Sequence, residues 1–177
     1  MGPVQRRCRI RAPYFTLVTF DGSLTGGGAT LQVGLQGIKE AAVKPVVAYW
    51  HKRWSERDRQ LMQVKPGDPG GQARCEAFAL LHALTVWRKT LGSTQGKLAV
   101  LGDALGVLYD VLRLKARDPV LNAMAADMAL ILAPMSLDVR VAHVWTQRNS
   151  ICDALSRLDC DDQNMPAILS DATGMKL

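Results

Sequence analysis

At 177 residues the chain has the length of one compact domain, and no apolar run approaches the roughly 20 residues that a membrane-spanning helix needs. Its 48% hydrophobic and 21% charged residues exclude a disordered or fibrous class. Lys and Arg outnumber Asp and Glu by 22 to 16, and the resulting +6 favours a polyanionic partner through phosphate neutralisation.

Residues 1–13 carry Arg6, Arg7, Arg9 and Arg11 but lack the apolar stretch and small-residue cleavage site of a secretory leader. They read as a basic linker, with the chain expected inside a cell. Residues 14–20 (YFTLVTF) are β-branched and aromatic and run into the turn-forming Asp21-Gly22-Ser23, so a first strand is predicted there. After three glycines, residues 29–35 (ATLQVGL) alternate as a second strand, and residues 44–50 (KPVVAYW) supply a third. Short connections suggest an antiparallel meander. Residues 51–71 are charged and then rich in Pro and Gly, which predicts a long loop with at most one helical turn.

From residue 72 to 91, Ala73, Ala77, Leu80, Leu81, Leu84 and Trp87 recur at helical spacing and predict one amphipathic helix. Residues 97–101 (KLAVL) form an apolar strand closed by Gly102-Asp103, followed by a helical period over 104–114. A buried strand entering a helix suits parallel pairing. Asp118-Pro119 marks the next helix start, with Asp as the cap and Pro in the first position, and its apolar face runs to residue 132. Residues 137–144 (LDVRVAHV) alternate as a fifth strand, and residues 150–158 form a last helix. Residues 159–177 read as a weakly patterned tail. The order βββαβααβα gives the α/β class: a five-stranded mixed sheet flanked by helices, within a domain spanning 14–158. Cys8, Cys75, Cys152 and Cys160 form no C-x-x-C pair, so neither a zinc site nor a disulfide framework is expected.

Four carboxylates stand where this layout can gather them. Asp21 and Asp103 end the first and fourth strands, Glu76 lies in the first turns of the long helix, and Asp153 opens the last helix. Ligands collect beyond the carboxyl ends of strands in open sheets. Crowded acids repel unless cations neutralise them, and hard divalent cations prefer oxygen donors, so the set is a candidate metal site. Taken singly, each acid is as readily a solvated cap.

The words TFDGS (19–23), GGGATL (26–31), RCEAFALLHAL (74–84), LAVLGDALGVL (98–108) and HVWTQRNSICDALSRL (143–158) together resemble the type 1 ribonuclease H family, in the family's order and over residues 14–158. The closing DALSR and the segment PVVAYW are similar to the RNase H domains of retrotransposon reverse transcriptases. The resemblance implies a ribonuclease H-like fold and an endonuclease that cuts the RNA strand of RNA/DNA hybrids. It also implies that Asp21, Glu76, Asp103 and Asp153 hold two Mg2+ ions, with Mn2+ as a substitute, and that an upstream reverse transcriptase domain is a partner. His143, ten residues before Asp153, matches the family's histidine for product release or proton transfer, and could equally be a packing residue. Asn149 matches the family's asparagine in the same loop and could also cap the last helix; Gly22 and Ser23 are further substrate-binding candidates.

The chain departs from the family in three places, one being a loop after Asp21 that is shorter than in cellular enzymes. Ala104 follows Asp103 where Ser or Asn is more usual, and only KAR separates Leu114 from Asp118, so the basic handle helix is missing and Arg113, Lys115 and Arg117 remain as a modest patch. A catalytically inactive, structural or hybrid-binding module is therefore the rival reading, with a DNA-cutting nuclease of the same superfamily third. The glycines after Asp21 could approach a nucleic-acid backbone or form a tight turn. His82, Trp50 and Trp54 are expected in the core, and His51, Lys52, Arg53, Arg57 and Arg59 in a solvated loop.

Overall fold

The computed structural model describes residues 15–36, 45–65, 68, 71–94, 96–113, 115–145, 149–158, 169 and 173–176. The N-terminal linker, Cys8, Cys160 and most of the tail lie outside these residues.

β1 (Phe15–Gly22), β2 (Gly26–Leu35) and β3 (Ala48–Arg53) form the expected antiparallel meander. β4 (Gly96–Gly102) lies parallel to β1, and β5 (Leu137–His143) parallel to β4. The sheet order is β5-β4-β1-β2-β3-β6. The five expected strands are thus present, and β6 (Thr173–Lys176) adds a sixth, parallel to β3, within a region that reads as tail. Four residues with one small glycine leave too little pattern to mark a strand; the open edge of β3 supplies the ladder partner.

The helices are α1 (Glu56–Met62), α2 (Gln72–Val86), α3 (Arg88–Ser93), α4 (Leu105–Arg113), α5 (Pro119–Leu132) and α6 (Ser150–Arg157). Two corrections concern the middle of the chain. The expected loop after β3 contains α1, started by a capping box in which the Ser55 hydroxyl accepts from the Asp58 N–H and the Asp58 carboxylate accepts from the Ser55 N–H. His51, Lys52 and Arg53 accordingly belong to β3, and Arg57 and Arg59 to α1, not to a solvated loop. The helix expected over 72–91 is broken at Trp87, whose φ of −95° and ψ of 13° leave the helical region, and Trp87 and Leu91 are both buried beside the break. Asp118 caps α5 as expected, its carboxylate accepting from the Val120 and Leu121 N–H groups.

The main core lies between the sheet and α2, α4 and α5, with Val18, Phe20, Leu31 and Trp50 facing Ala79, Leu80, Leu84, Leu108, Met124 and Met128. α6 covers the opposite face. Alternation along β2 shows this directly: Gly27 meets Trp54 and Ala79, whereas Gly28 meets Leu155 of α6. A Cβ at Gly22 would collide with the α2 backbone at Cys75, and one at Gly28 with Leu155. These glycines therefore serve the close approach of α2 and α6 to the β1–β2 hairpin. Trp50 and Trp54 are in the core, 0% and 2% exposed, and box His82 with Phe78. Cys75 and Cys152 are buried free thiols that burial pushes up to about 11 and about 12, well out of the thiolate range.

Candidate functional site

The parallel register of β1 and β4 sets the first two carboxylates level. Thr19 stands opposite Leu101, and Asp21 and Asp103 each follow two residues later, so both emerge at the same edge of the sheet. Helices bring the other two from opposite faces, Glu76 from α2 and Asp153 from the first turn of α6.

The position of α6 is set by hydrogen bonds to the end of β1. Asn149 Nδ2 donates to the Phe20 carbonyl at 3.1 Å, Cys152 Sγ to the Thr19 carbonyl at 3.3 Å, and Ser156 Oγ to Asp21 Oδ2 at 2.5 Å. Asn149 sits at the N-cap position, yet its side chain makes no cap hydrogen bond; the tie to β1 takes its place. On the other side, Gln72 Nε2 donates to Glu76 Oε1 at 2.9 Å and to the Gly22 carbonyl, joining α2 to the turn after Asp21. Ser23 Oγ lies within hydrogen-bond distance of the Ser156 carbonyl, at 2.8 Å, and the Trp54 indole N–H donates to the Ser23 carbonyl. The turn is thereby braced by α6 and by the core.

An open cleft of about 310 Å³ is lined by Asp21, Ser23, Leu24, Thr25, Gln72, Asp103, Asp153 and Arg157. Glu76 stands behind Gln72, 8% exposed, with Oε2 buried and without a hydrogen-bond partner. Burial pushes its carboxyl up to about 7, the Gln72 bond opposing and the Asp103 and Asp21 charges adding. Burial also raises Asp21, against the Ser156 hydroxyl bond, with Asp103 and Asp153 adding their repulsion and Arg157 relieving it. The four acids thus share one electrostatic environment. His143 does not line the cleft; it pairs in register with Gly102, next to Asp103, and its ring meets Trp145 edge-on at 5.2 Å.

Three neighbours of the acids escaped the sequence reading. Gln72, Ser156 and Arg157 stand four residues before Glu76 and three and four after Asp153, the spacings at which helical side chains meet. Arg157 pairs with Asp153 at 2.8 Å. As placed, no three acidic, imidazole or thiol side chains among the described residues converge on a single ion-holding point. The donor chemistry nevertheless fits a divalent cation: all four groups are oxygen donors, and the buried Oε2 of Glu76 lacks a partner.

No protein-family model matches the sequence, and no curated protein sequence matches it. Solved structures do match by shape. The RNase H1 of the halophilic archaeon Halobacterium salinarum NRC-1 aligns at 18% identity over 80% of this chain and 93% of its own, with a TM-score of 0.57. The N-terminal RNase H domain of a Mycobacterium tuberculosis protein aligns at 18% identity over 80% of this chain and 89% of its own, also at 0.57. LC11-RNase H1, isolated from compost by a metagenomic approach and solved with an RNA/DNA hybrid, aligns at 15% identity over 79% of this chain and 92% of its own, at 0.60. The chain has the ribonuclease H-like fold.

Proposed function

We propose that the chain is a ribonuclease H-type endonuclease that hydrolyses the RNA strand of RNA/DNA hybrids, with Asp21, Glu76, Asp103 and Asp153 holding two Mg2+ or Mn2+ ions. The observation that carries this reading is the level placement of Asp21 and Asp103 at one sheet edge, with Asp153 beside them in the same cleft. When bound, the ions supply activation of the attacking water and stabilisation of the leaving oxygen.

The chain's own residues do the rest. Ser156 and Gln72 orient Asp21 and Glu76 through single hydrogen bonds. Arg157 compensates the negative charge at the cleft and offers a guanidinium to a phosphate. His143, level in the sheet with Gly102 and so next to Asp103, is the candidate for moving a proton near the leaving group. Ser23 lines the cleft and can meet the substrate, whereas Gly22 and Asn149 act by keeping α2 and α6 close to β1. Selection of the RNA strand rests on its 2′-hydroxyl and on helix shape, with phosphates attracted by the net charge of +6. LC11-RNase H1, which shares the fold, was solved with an RNA/DNA hybrid, and that supports the substrate class. An upstream reverse transcriptase would add grip that the short α4–α5 connection does not provide.

The rival is a hybrid-binding module without catalysis. It is favoured by the acids' failure to converge as placed and by the Arg157–Asp153 pair, which holds one carboxylate against a protein cation. Cleavage of a labelled RNA/DNA hybrid separates the two, with Mg2+ or Mn2+ and with single-stranded and duplex controls. The expected result is hybrid-specific RNA cutting that Asp103→Asn lowers on the order of 100-fold or more. Hybrid binding with no cutting under either ion would favour the module, and cutting of duplex DNA alone would favour a DNA nuclease of the same fold.

A further inference from the structure

The protein has four tryptophans, and three are buried: Trp50, Trp54 and Trp87 are 0%, 2% and 5% exposed. Trp145 is the opposite case, with 71% of its surface in solvent. A large aromatic ring left this open forfeits the burial that ordinarily justifies a tryptophan. A mobile surface position would make that unremarkable, but the backbone here is fixed at both ends. The N–H of Val144 donates to the Gly102 carbonyl at 3.0 Å, and the Trp145 carbonyl accepts from the Asn149 N–H at 3.2 Å. Gly102 precedes Asp103, and Asn149 opens the helix that carries Asp153. Trp145 is therefore held between the two elements that bring Asp103 and Asp153 to the cleft.

Among the described residues its aromatic neighbour, His143, is informative as well. The His143 ring meets the indole edge-on at 5.2 Å, which props the indole without covering it. Arg157, on the helix that Asn149 opens, stands at the cleft with an exposed guanidinium that a phosphate-bearing strand would meet.

We infer that Trp145 is a substrate-contacting platform, stacking its indole on a sugar or base face of the nucleic-acid strand laid across the carboxylate cleft. The inference rests on the nuclease reading above for the identity of that strand, but it concerns binding and not the chemical step. The indole adds sequence-tolerant affinity, because every nucleotide presents an apolar face, and leaves the groups at the phosphate untouched.

The buried state of the other three tryptophans makes the test direct. An RNA/DNA hybrid of about 12 base pairs is titrated into the full chain in chelator and again in Ca2+, with binding followed by anisotropy of a label on the hybrid and, in parallel, by intrinsic tryptophan emission. The platform predicts that bound hybrid quenches the red-edge emission and shields it from acrylamide, and that Trp145→Ala abolishes this optical change. It further predicts a Kd, and in cleaving conditions a KM, raised roughly tenfold in Trp145→Ala with kcat within about twofold, and near-full recovery in Trp145→Phe. A ring that served only to hold His143 would instead lower kcat at unchanged Kd, and that result overturns the platform. Hybrid binding without any change in emission or acrylamide quenching overturns it too. Quenched binding without cleavage would leave the platform standing while removing the catalytic reading. If the hybrid does not bind at all, both fall.

Discussion

Burial of Glu76 and the neighbouring Asp103 and Asp21 charges set the needs of the site against those of the fold. With its carboxyl pushed up to about 7, against an ordinary 4.5, the folded chain keeps a proton that the unfolded chain releases. The stability this contributes is complete below about pH 4.5 and is lost as pH rises through 7. In chelator, Glu76→Gln should therefore melt above wild type at pH 8, by about 1–3 kcal/mol, and match it near pH 5. Equal melting at both pH values would show that the charge is already compensated. His82 works in the opposite direction. Burial, with the Lys52 charge adding and Asp58 opposing, lowers its basicity below the ordinary 6.5, and its Nε2 is buried without a partner. Stability linked to His82 is present above about pH 6.5 and is lost as pH falls below it. His82→Leu, which keeps an apolar group among Trp50, Trp54 and Phe78, should flatten the fall in melting temperature between pH 6.5 and 5; an unchanged acid limb would place its origin elsewhere.

Among the elements, α6 sends both Asp153 and Arg157 into the cleft. It is eight residues long and reaches β1 and β2 only because glycine lines the hairpin beneath it. Gly28→Ala would drive a methyl group into Leu155 and push α6 outward, at a cost of about 1–3 kcal/mol. The same shift carries Asp153 away and loosens the Ser156–Asp21 bond. The variant should thus lose cleavage by more than its lost stability explains, measured as residual activity well below its melting midpoint; activity in proportion to the folded fraction would show that the helix re-seats. Much at this scale is legible in the sequence. The Asp118-Pro119 start of α5 and the alternation of β5 are local signals and appear where expected. The start of α1 also had a local signal, Ser55 three residues before Asp58, which the charged surroundings of 51–59 obscured. The break at Trp87 had none, since the apolar period runs through it without interruption.

At the scale of the molecule, the sheet has a protected and a vulnerable side. β6 pairs Thr173–Lys176 with Ala48–His51 and covers the edge of β3 that would otherwise present unpaired backbone groups. Removing residues 171–177 should leave the helical signal intact and the cleft unchanged, while inducing concentration-dependent association through that edge, read by light scattering. A truncated chain that stays monomeric at every concentration would mean that β3 is shielded by its own charge.

The amino-acid sequence by itself determined the kind and order of the first five strands, because period, turn residues and caps act between near neighbours. It also singled out Asp21, Glu76, Asp103 and Asp153 as candidates, through strand-end and helix positions and through the resemblance of the words around them. Only the tertiary structure decided that Asp21 and Asp103 stand level, since strand register depends on pairing between segments some 80 residues apart. It likewise decided that the hairpin glycines face α2 and α6, that Asn149 ties α6 to β1 instead of capping it, and that Trp145 remains uncovered between the end of β5 and the start of α6. Each of these turns on which distant surface meets a residue, and burial and hydrogen bonding across the fold settle that only once the whole chain has closed on itself.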